Sequence, residues 1–317
     1  MMTYNILTMA DDGANLDVAK RILNTVGDKF GKDFNIYSCS LFTLTPESVE
    51  KARCAHAVVY YTNTQAKLHS LGELLGLYAE LRIVKSRAGE SALDIITVCD
   101  IYANKQSDHG FGNSDTFGRE AYDTLRYSEL EIERVSRIAY ELAETRRRHI
   151  TLADKADNLI TSRLWRKIVT DINEDYPYVQ VNMMCVDDVA VQLAQNTSQF
   201  DIILTPSIFA DTLSKLAMAH TQNKRTVQTA LLGETTLGAY GASIFPIYNI
   251  NNHPEQMTEN SIASAIDIIS SVAFMLRNSF DMQAEADSIE NALNCAITNL
   301  PADCDINTFI NEVIAKI

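Results

Sequence analysis

Along most of the chain, short runs rich in β-branched and aromatic residues alternate with longer stretches of helical periodicity, and no other feature limits the fold as strongly. The runs lie at 4–9, 57–61, 94–98, 149–152, 179–186 and 200–204; the helical stretches include 17–30, 128–147, 162–175 and 188–196. Alternation of this kind predicts βαβ units and an α/β fold whose mostly parallel central sheet is flanked by helices. With 317 residues, 46% of them hydrophobic, the chain can bury a large core, as one α/β unit or two joined ones. No repeat, low-complexity segment or Pro/Gly-rich linker separates parts of it. The stretch at 128–147 is the clearest helix. Ser128 and Glu131 form a capping box, Ile132, Val135, Ile138, Ala139 and Leu142 recur on one face, and Arg146 to Arg148 complement the C-terminal dipole. Residues 262–276 predict a buried helix, and 221–259, with Gly233, Gly238, Gly241 and a polar run at 249–252, read as loops near a site.

A net charge of −14, with no basic stripe beyond Arg146 to Arg148, excludes a nucleic-acid partner. The longest apolar stretch is interrupted by Asp267, Ser270 and Ser271, too short to span a bilayer, so no membrane is expected. The first dozen residues lack the three-part organisation of an export signal, so the mature chain is expected to begin there and to stay in the cytoplasm. Six dispersed cysteines without a C-x-x-C pair predict free, buried thiols in a reducing compartment. The six histidines offer no i, i+4 pair for zinc.

Three charged residues follow strand-like runs: Lys155, Asp187 and Asp211. Open α/β sheets bind ligands at the C-terminal ends of their strands, so these three compose either a general base beside a divalent-cation site or ordinary caps and solvated charges.

The surrounding words separate those readings. The stretch from Arg126 to Leu193, "RYSELEIERVSRIAYELAETRRRHITLADKADNLITSRLWRKIVTDINEDYPYVQVNMMCVDDVAVQL", together with "FDIILTPSIFADTLS" at 200–214, resembles the metal-dependent β-decarboxylating dehydrogenases of the isopropylmalate/isocitrate dehydrogenase family, the isopropylmalate branch above all. Weaker matches at 10–23, 73–85 and 264–279 extend the resemblance over most of the chain. It implies an isopropylmalate dehydrogenase-like two-domain fold, with 1–77 plus 222–317 as a discontinuous coenzyme-side domain and 78–221 as a dimerisation domain carrying the site. It also implies a 2-hydroxy acid substrate, NAD or NADP as hydride acceptor, Mg or Mn as cation, and a homodimer in which one subunit lends its lysine and one aspartate to the other.

By motif, Tyr127 in "RYSE" resembles the tyrosine that protonates the enolate carbon, and Lys155 in "ADKADNL" the lysine that relays the hydroxyl proton. Arg82 in "YAELRIVK" resembles a substrate-binding arginine; Asp187 and Asp211 resemble two of three metal-binding aspartates. Departures cluster around the same features. The third metal position holds Lys215, whose ammonium cannot ligate a cation; Gly72 and Cys99 stand where two further clamping arginines are expected. At 246–265, "PIYNINNHPEQMTENSIASA" lacks the paired glycines of the family's nucleotide loop, and near the start only Asp12 and Gly13 remain of the corresponding word. The sequence thus predicts a divergent oxidoreductase acting on a small anionic 2-hydroxy acid, with or without decarboxylation. The alternative is a catalytically impaired paralogue serving as an anion-binding or regulatory subunit, alone or in a hetero-oligomer with an active relative; proton transfer by Lys155 and Tyr127 without nicotinamide is a third.

Overall fold

The computed structural model describes residues 3–10, 16–40, 45–62, 65–85, 93–101, 109–114, 116–221, 226–234, 238–244, 262–301 and 304–317. In chain order these form β1 (Thr3–Ala10), α1 (Asp17–Phe30), β2 (Asp33–Ser40), α2 (Pro46–Cys54), β3 (Ala57–Thr62), α3 (Gln65–Leu75) and β4 (Ala79–Lys85). Next come β5 (Asp94–Asp100), β6 (His109–Ser114), β7 (Gly118–Asp123), α4 (Glu129–Glu144), β8 (His149–Asp154), α5 (Ile160–Asn173), β9 (Gln180–Cys185), α6 (Val186–Gln195), β10 (Ile202–Leu204) and α7 (Ser207–Met218). The last are β11 (Thr226–Leu232), β12 (Ala239–Ile244), α8 (Ile262–Phe280), α9 (Gln283–Asn299) and α10 (Ile306–Lys316). The fold is α/β, with mostly parallel strands flanked by helices. Two compact units are present, 1–94 with 218–317 and 95–217. Strand β4, within the span assigned to the second domain from the sequence, belongs to the first unit, where it pairs with β11.

In the first unit the strand order is β2-β1-β3-β12-β11-β4. The β1–β2, β1–β3 and β12–β3 pairs are parallel, and β11 runs antiparallel to both neighbours. Side chains alternate between the two faces of such a sheet. On one face Tyr240 donates to or accepts from Ser279 of α8 at 2.8 Å and packs edge-on against Phe274, and Tyr61 reaches Ser264 of α8 at 3.1 Å. The opposite face carries a row of register partners, Tyr60, Gly241, Thr229 and Arg82. Because Gly241 has no side chain to intervene, the Tyr60 hydroxyl bonds to Thr229 across it. The strands β11 and β12 replace the loops expected for 221–259. Just before β12 the chain must leave room for a ring: a Cβ on Gly238 would lie 2.7 Å from the Tyr240 ring.

The second unit holds four parallel strands in the order β5-β10-β8-β9. Helices α4 and α5 pack on each other, with Tyr140 donating to the Val169 carbonyl at 2.8 Å, and both contact β8. The capping box is present: Ser128 accepts from the Glu131 amide, and Glu131 accepts from the Ser128 amide at 2.8 Å. The hairpin β6–β7 stands apart as its own two-stranded sheet, with β7 exposed throughout and Phe111, Phe117 and Tyr122 in solvent. Among the described residues, no helix is long and apolar enough to cross a membrane.

All six cysteines are free, as expected, but only Cys99 is buried; Cys54 is exposed and the other four are partly so. Cys39 lies partly covered on β2, between exposed Ser38 and Ser40.

Candidate active site

Parallel strands end at one edge, and in the second unit that edge gathers the polar groups. Asp100 ends β5, Asp154 ends β8, Cys185 ends β9, and Ser207 opens α7 after β10. Asp154 is buried and serves structure. It accepts from Arg166 at 2.7 and 2.9 Å and from the Ala156 amide at 2.9 Å, which turns the chain at Lys155.

Lys155 leaves that turn partly exposed, its amide donating to Ser162 at 3.1 Å. Its ammonium donates to Asp187, and lies 3.5 Å from the Cys185 sulfur and 3.9 Å from Asp157. The hydrogen bond to Asp187 holds Lys155 above the usual lysine range and pulls Asp187 below the usual carboxylate range. At rest the pair is therefore an ammonium beside a carboxylate. The structure thus brings together Lys155 and Asp187, two residues the sequence read separately as proton relay and metal ligand.

Tyr127 precedes α4 and is buried, its ring edge-on to Trp165 at 5.5 Å. Its hydroxyl donates to Asp100 at 2.9 Å. Asp100 also accepts from the Ser207 amide at 2.9 Å and hydroxyl at 3.0 Å, so one carboxylate satisfies an orphan donor of the first turn of α7 and fixes the phenol. Burial first, then the Asp100 charge, push the Tyr127 phenol far above its ordinary value. It holds its proton at any working pH. Asp100 and Ser207 were missed from the sequence. A carboxylate at a strand end, next to Cys99, is the signal that marks Asp100.

Asp211 and Lys215 lie one turn apart on α7. A divalent cation needs converging oxygen ligands with little opposing charge. The available set is Asp187, already bonded to an ammonium, and Asp211, with Lys215 a turn later. Among the described residues, no three His, Cys, Asp or Glu side chains group to hold a metal. Within one chain, Asp187 and Asp211 with Lys215 do not fit Mg or Mn.

Arg82 belongs to β4 in the first unit and is 2% exposed. Residues two apart on a strand share a face, and Glu80 meets Arg82 there with both oxygens, at 3.0 Å to Nε and 3.2 Å to Nη2. Glu80 was not singled out from the sequence, although its spacing from Arg82 was legible. Gly72 is buried at the end of α3, where its carbonyl accepts from the Leu77 amide at 2.8 Å. The proposed nucleotide segments, Asp12–Gly13 and 246–261, lie outside the described residues.

A model of the isocitrate/isopropylmalate dehydrogenase family matches residues 60–315. The chain belongs to that family. A 3-isopropylmalate dehydrogenase of Moorella thermoacetica is 31% identical over 92% of this chain and 89% of its own length; one of Oleidesulfovibrio alaskensis is 30% identical over 92% and 90%. The crystal structure of isocitrate dehydrogenase from Methylococcus capsulatus superposes with a TM-score of 0.79 at 20% identity, covering 99% of both chains. A β-decarboxylating dehydrogenase of Thermococcus kodakarensis gives 0.75 at 21% identity, over 99% of this chain and 96% of that one. Those structures bear on the fold; membership in the isocitrate/isopropylmalate dehydrogenase family rests on the model match and the sequence relatives.

Proposed function

We propose that this protein is an NAD- or NADP-dependent oxidoreductase of a 2-hydroxy acid, in which decarboxylation follows only where the substrate carries a β-carboxylate. The observation that carries this reading is that the Lys155–Asp187 pair and the Tyr127–Asp100 pair both lie at the C-terminal edge of the same four parallel strands. When bound, the nicotinamide supplies the hydride acceptor. Lys155 takes the hydroxyl proton after losing its own to solvent, and its positive charge at rest holds the hydroxyl oxygen or the carboxylate of the bound acid. Tyr127, locked as a donor to Asp100, orients a ligand through its ring and its fixed hydroxyl. The site does not depend on a divalent cation.

A homodimer is part of the proposal. Among the described residues the hairpin β6–β7 pairs with no third strand, and isolated two-stranded hairpins are marginal in water. Its exposed Phe111, Phe117 and Tyr122, with exposed Val191 on α6 and Ile208 on α7, are apolar surface suited to a second copy of the chain. Six free thiols suit a cytoplasmic setting.

The second reading, a regulatory or anion-binding paralogue, is favoured by Glu80, which occupies Arg82, and by Lys215. A thermal-shift titration with NAD⁺ and NADP⁺ separates the two, because a ligand of the native state raises its stability. A coenzyme-dependent rise in Tm without added metal supports the oxidoreductase; no rise at millimolar coenzyme favours the paralogue.

A further inference from the structure

A carboxylate gripped by two parallel N–H groups of a guanidinium is fixed in its plane as well as its place, which a single ammonium cannot do. Buried Asp154 is gripped in this way: Arg166 of α5 donates from Nε to one oxygen at 2.7 Å and from Nη2 to the other at 2.9 Å. The oxygen that meets Nη2 also accepts from the Ala156 amide at 2.9 Å, so the plane of the carboxylate sets the turn on which Lys155 leaves β8. Helix α5 holds that turn at further points. Ser162 accepts from the Lys155 amide at 3.1 Å, and Arg163 donates to the Ala156 carbonyl at 2.9 Å and to the Asp157 carbonyl at 3.3 Å. The helix is itself anchored, since Trp165, Ile168, Val169 and Ile172 are buried and the Val169 carbonyl accepts from Tyr140 of α4. Asp154 is the register partner of Cys185, two residues before Asp187, so the Lys155 turn and Asp187 meet across neighbouring strand ends. Neutralising the charge of Asp154 asks only for a cation, whereas fixing its plane asks for the fork.

We infer that Arg166 is a positioning residue: through the plane of Asp154, and together with Ser162 at the Lys155 amide, it aims the Lys155 ammonium at Asp187. Its neighbour Trp165 lies edge-on to Tyr127 at 5.5 Å, so one turn of α5 backs both pairs of the site. The catalytic consequence rests on the proposed reading of Lys155 as proton acceptor, but the aim itself is a contact that can be measured without turnover.

Zero-length coupling of the purified full chain with a water-soluble carbodiimide reads that contact. The activated Asp187 carboxylate is captured by the Lys155 amine only when the two touch; an amide forms, and the displaced oxygen leaves with the urea. Yield is counted by mass spectrometry of the linked peptides, with the Lys32–Glu285 pair, 3.2 Å apart, as internal reference. The wild type is expected to give the Lys155–Asp187 link. Arg166→Lys, which keeps the charge and loses the fork, should hold Tm near the wild-type value, lower the relative yield about fivefold or more and lower kcat for a 2-hydroxy acid about tenfold or more. Arg166→Gln should lose the same yield and also Tm, because Asp154 is left buried without a countercharge. If Arg166 only neutralises Asp154, Arg166→Lys keeps both yield and kcat, and that outcome overturns the inference, as does absence of the link in the wild type. Should the Arg166 variants fail to fold, Ser162→Ala decides: a relative yield lowered about twofold or more supports the inference, and an unchanged yield overturns it. A lowered yield with kcat unchanged, or from a wild type that reduces no coenzyme, would uphold the aim set by Arg166 while removing the proton-acceptor reading of Lys155.

Discussion

Two ion pairs sit where the sequence placed its substrate and proton residues, and they differ in kind. Arg82–Glu80 is almost wholly removed from water on a central strand of the first unit, with both side chains 2% exposed; Lys155–Asp187 stands at a strand edge of the second, 24% and 68% exposed. A buried pair cannot be opened cheaply, since removing one partner leaves an uncompensated charge. An exposed pair is exchangeable, because water takes up either partner at small cost. The first therefore braces β4, and the second stands open to proton exchange.

The largest expected effect breaks the buried side of that contrast. Arg82→Met should leave Glu80 buried without its partner and cost about 3–5 kcal/mol of unfolding free energy, measured by denaturant titration. Loss of less than about 1 kcal/mol would show that the pair is not held out of water. Next comes the Tyr127 hydroxyl: Tyr127→Phe removes a donor to Asp100 and should cost about 1–3 kcal/mol, while Ser207 still holds the carboxylate. Ser128→Ala, which deletes the capping box of α4, should cost about 1 kcal/mol.

The smallest effect on stability, and the sharpest on chemistry, concerns the exposed pair. Asp187 raises the Lys155 pKa, and the step proposed for Lys155 needs its neutral form, so kcat/KM should climb with pH through the alkaline range. Asp187→Asn removes the carboxylate that favours the ammonium, and the rising limb should move to lower pH with little change in Tm. A limb that stays in place would mean that Lys155 is not the titrating group.

The fold was legible because its signals are local. The helix at 17–30 and the Ser128–Glu131 box are written in consecutive residues, and the strands at 57–62, 94–100 and 149–154 are short apolar runs between helices. Strands β11 and β12 were not legible. Each is glycine-interrupted or polar at alternate positions, and only pairing with β3 and β4, distant in sequence, makes them strands. The site divides the same way. Motif words singled out Tyr127 and Lys155, but what those side chains bond to is decided by three-dimensional placement. Asp100 reaches Tyr127 from 27 residues upstream, and Ser207 reaches Asp100 from 107 residues away. The Glu80–Arg82 pair needed only strand alternation, once residues 79–85 are known to be a strand.

The central claim is that the Lys155 edge oxidises a 2-hydroxy acid, and the most direct measurement is spectrophotometric formation of reduced nicotinamide from NAD⁺ or NADP⁺ with a panel of 2-hydroxy acids, in the presence of a metal chelator. The account predicts turnover with a 2-hydroxy acid that survives chelation and disappears in Lys155→Met. No reduced coenzyme with any 2-hydroxy acid, or turnover that Lys155→Met leaves intact, would contradict it.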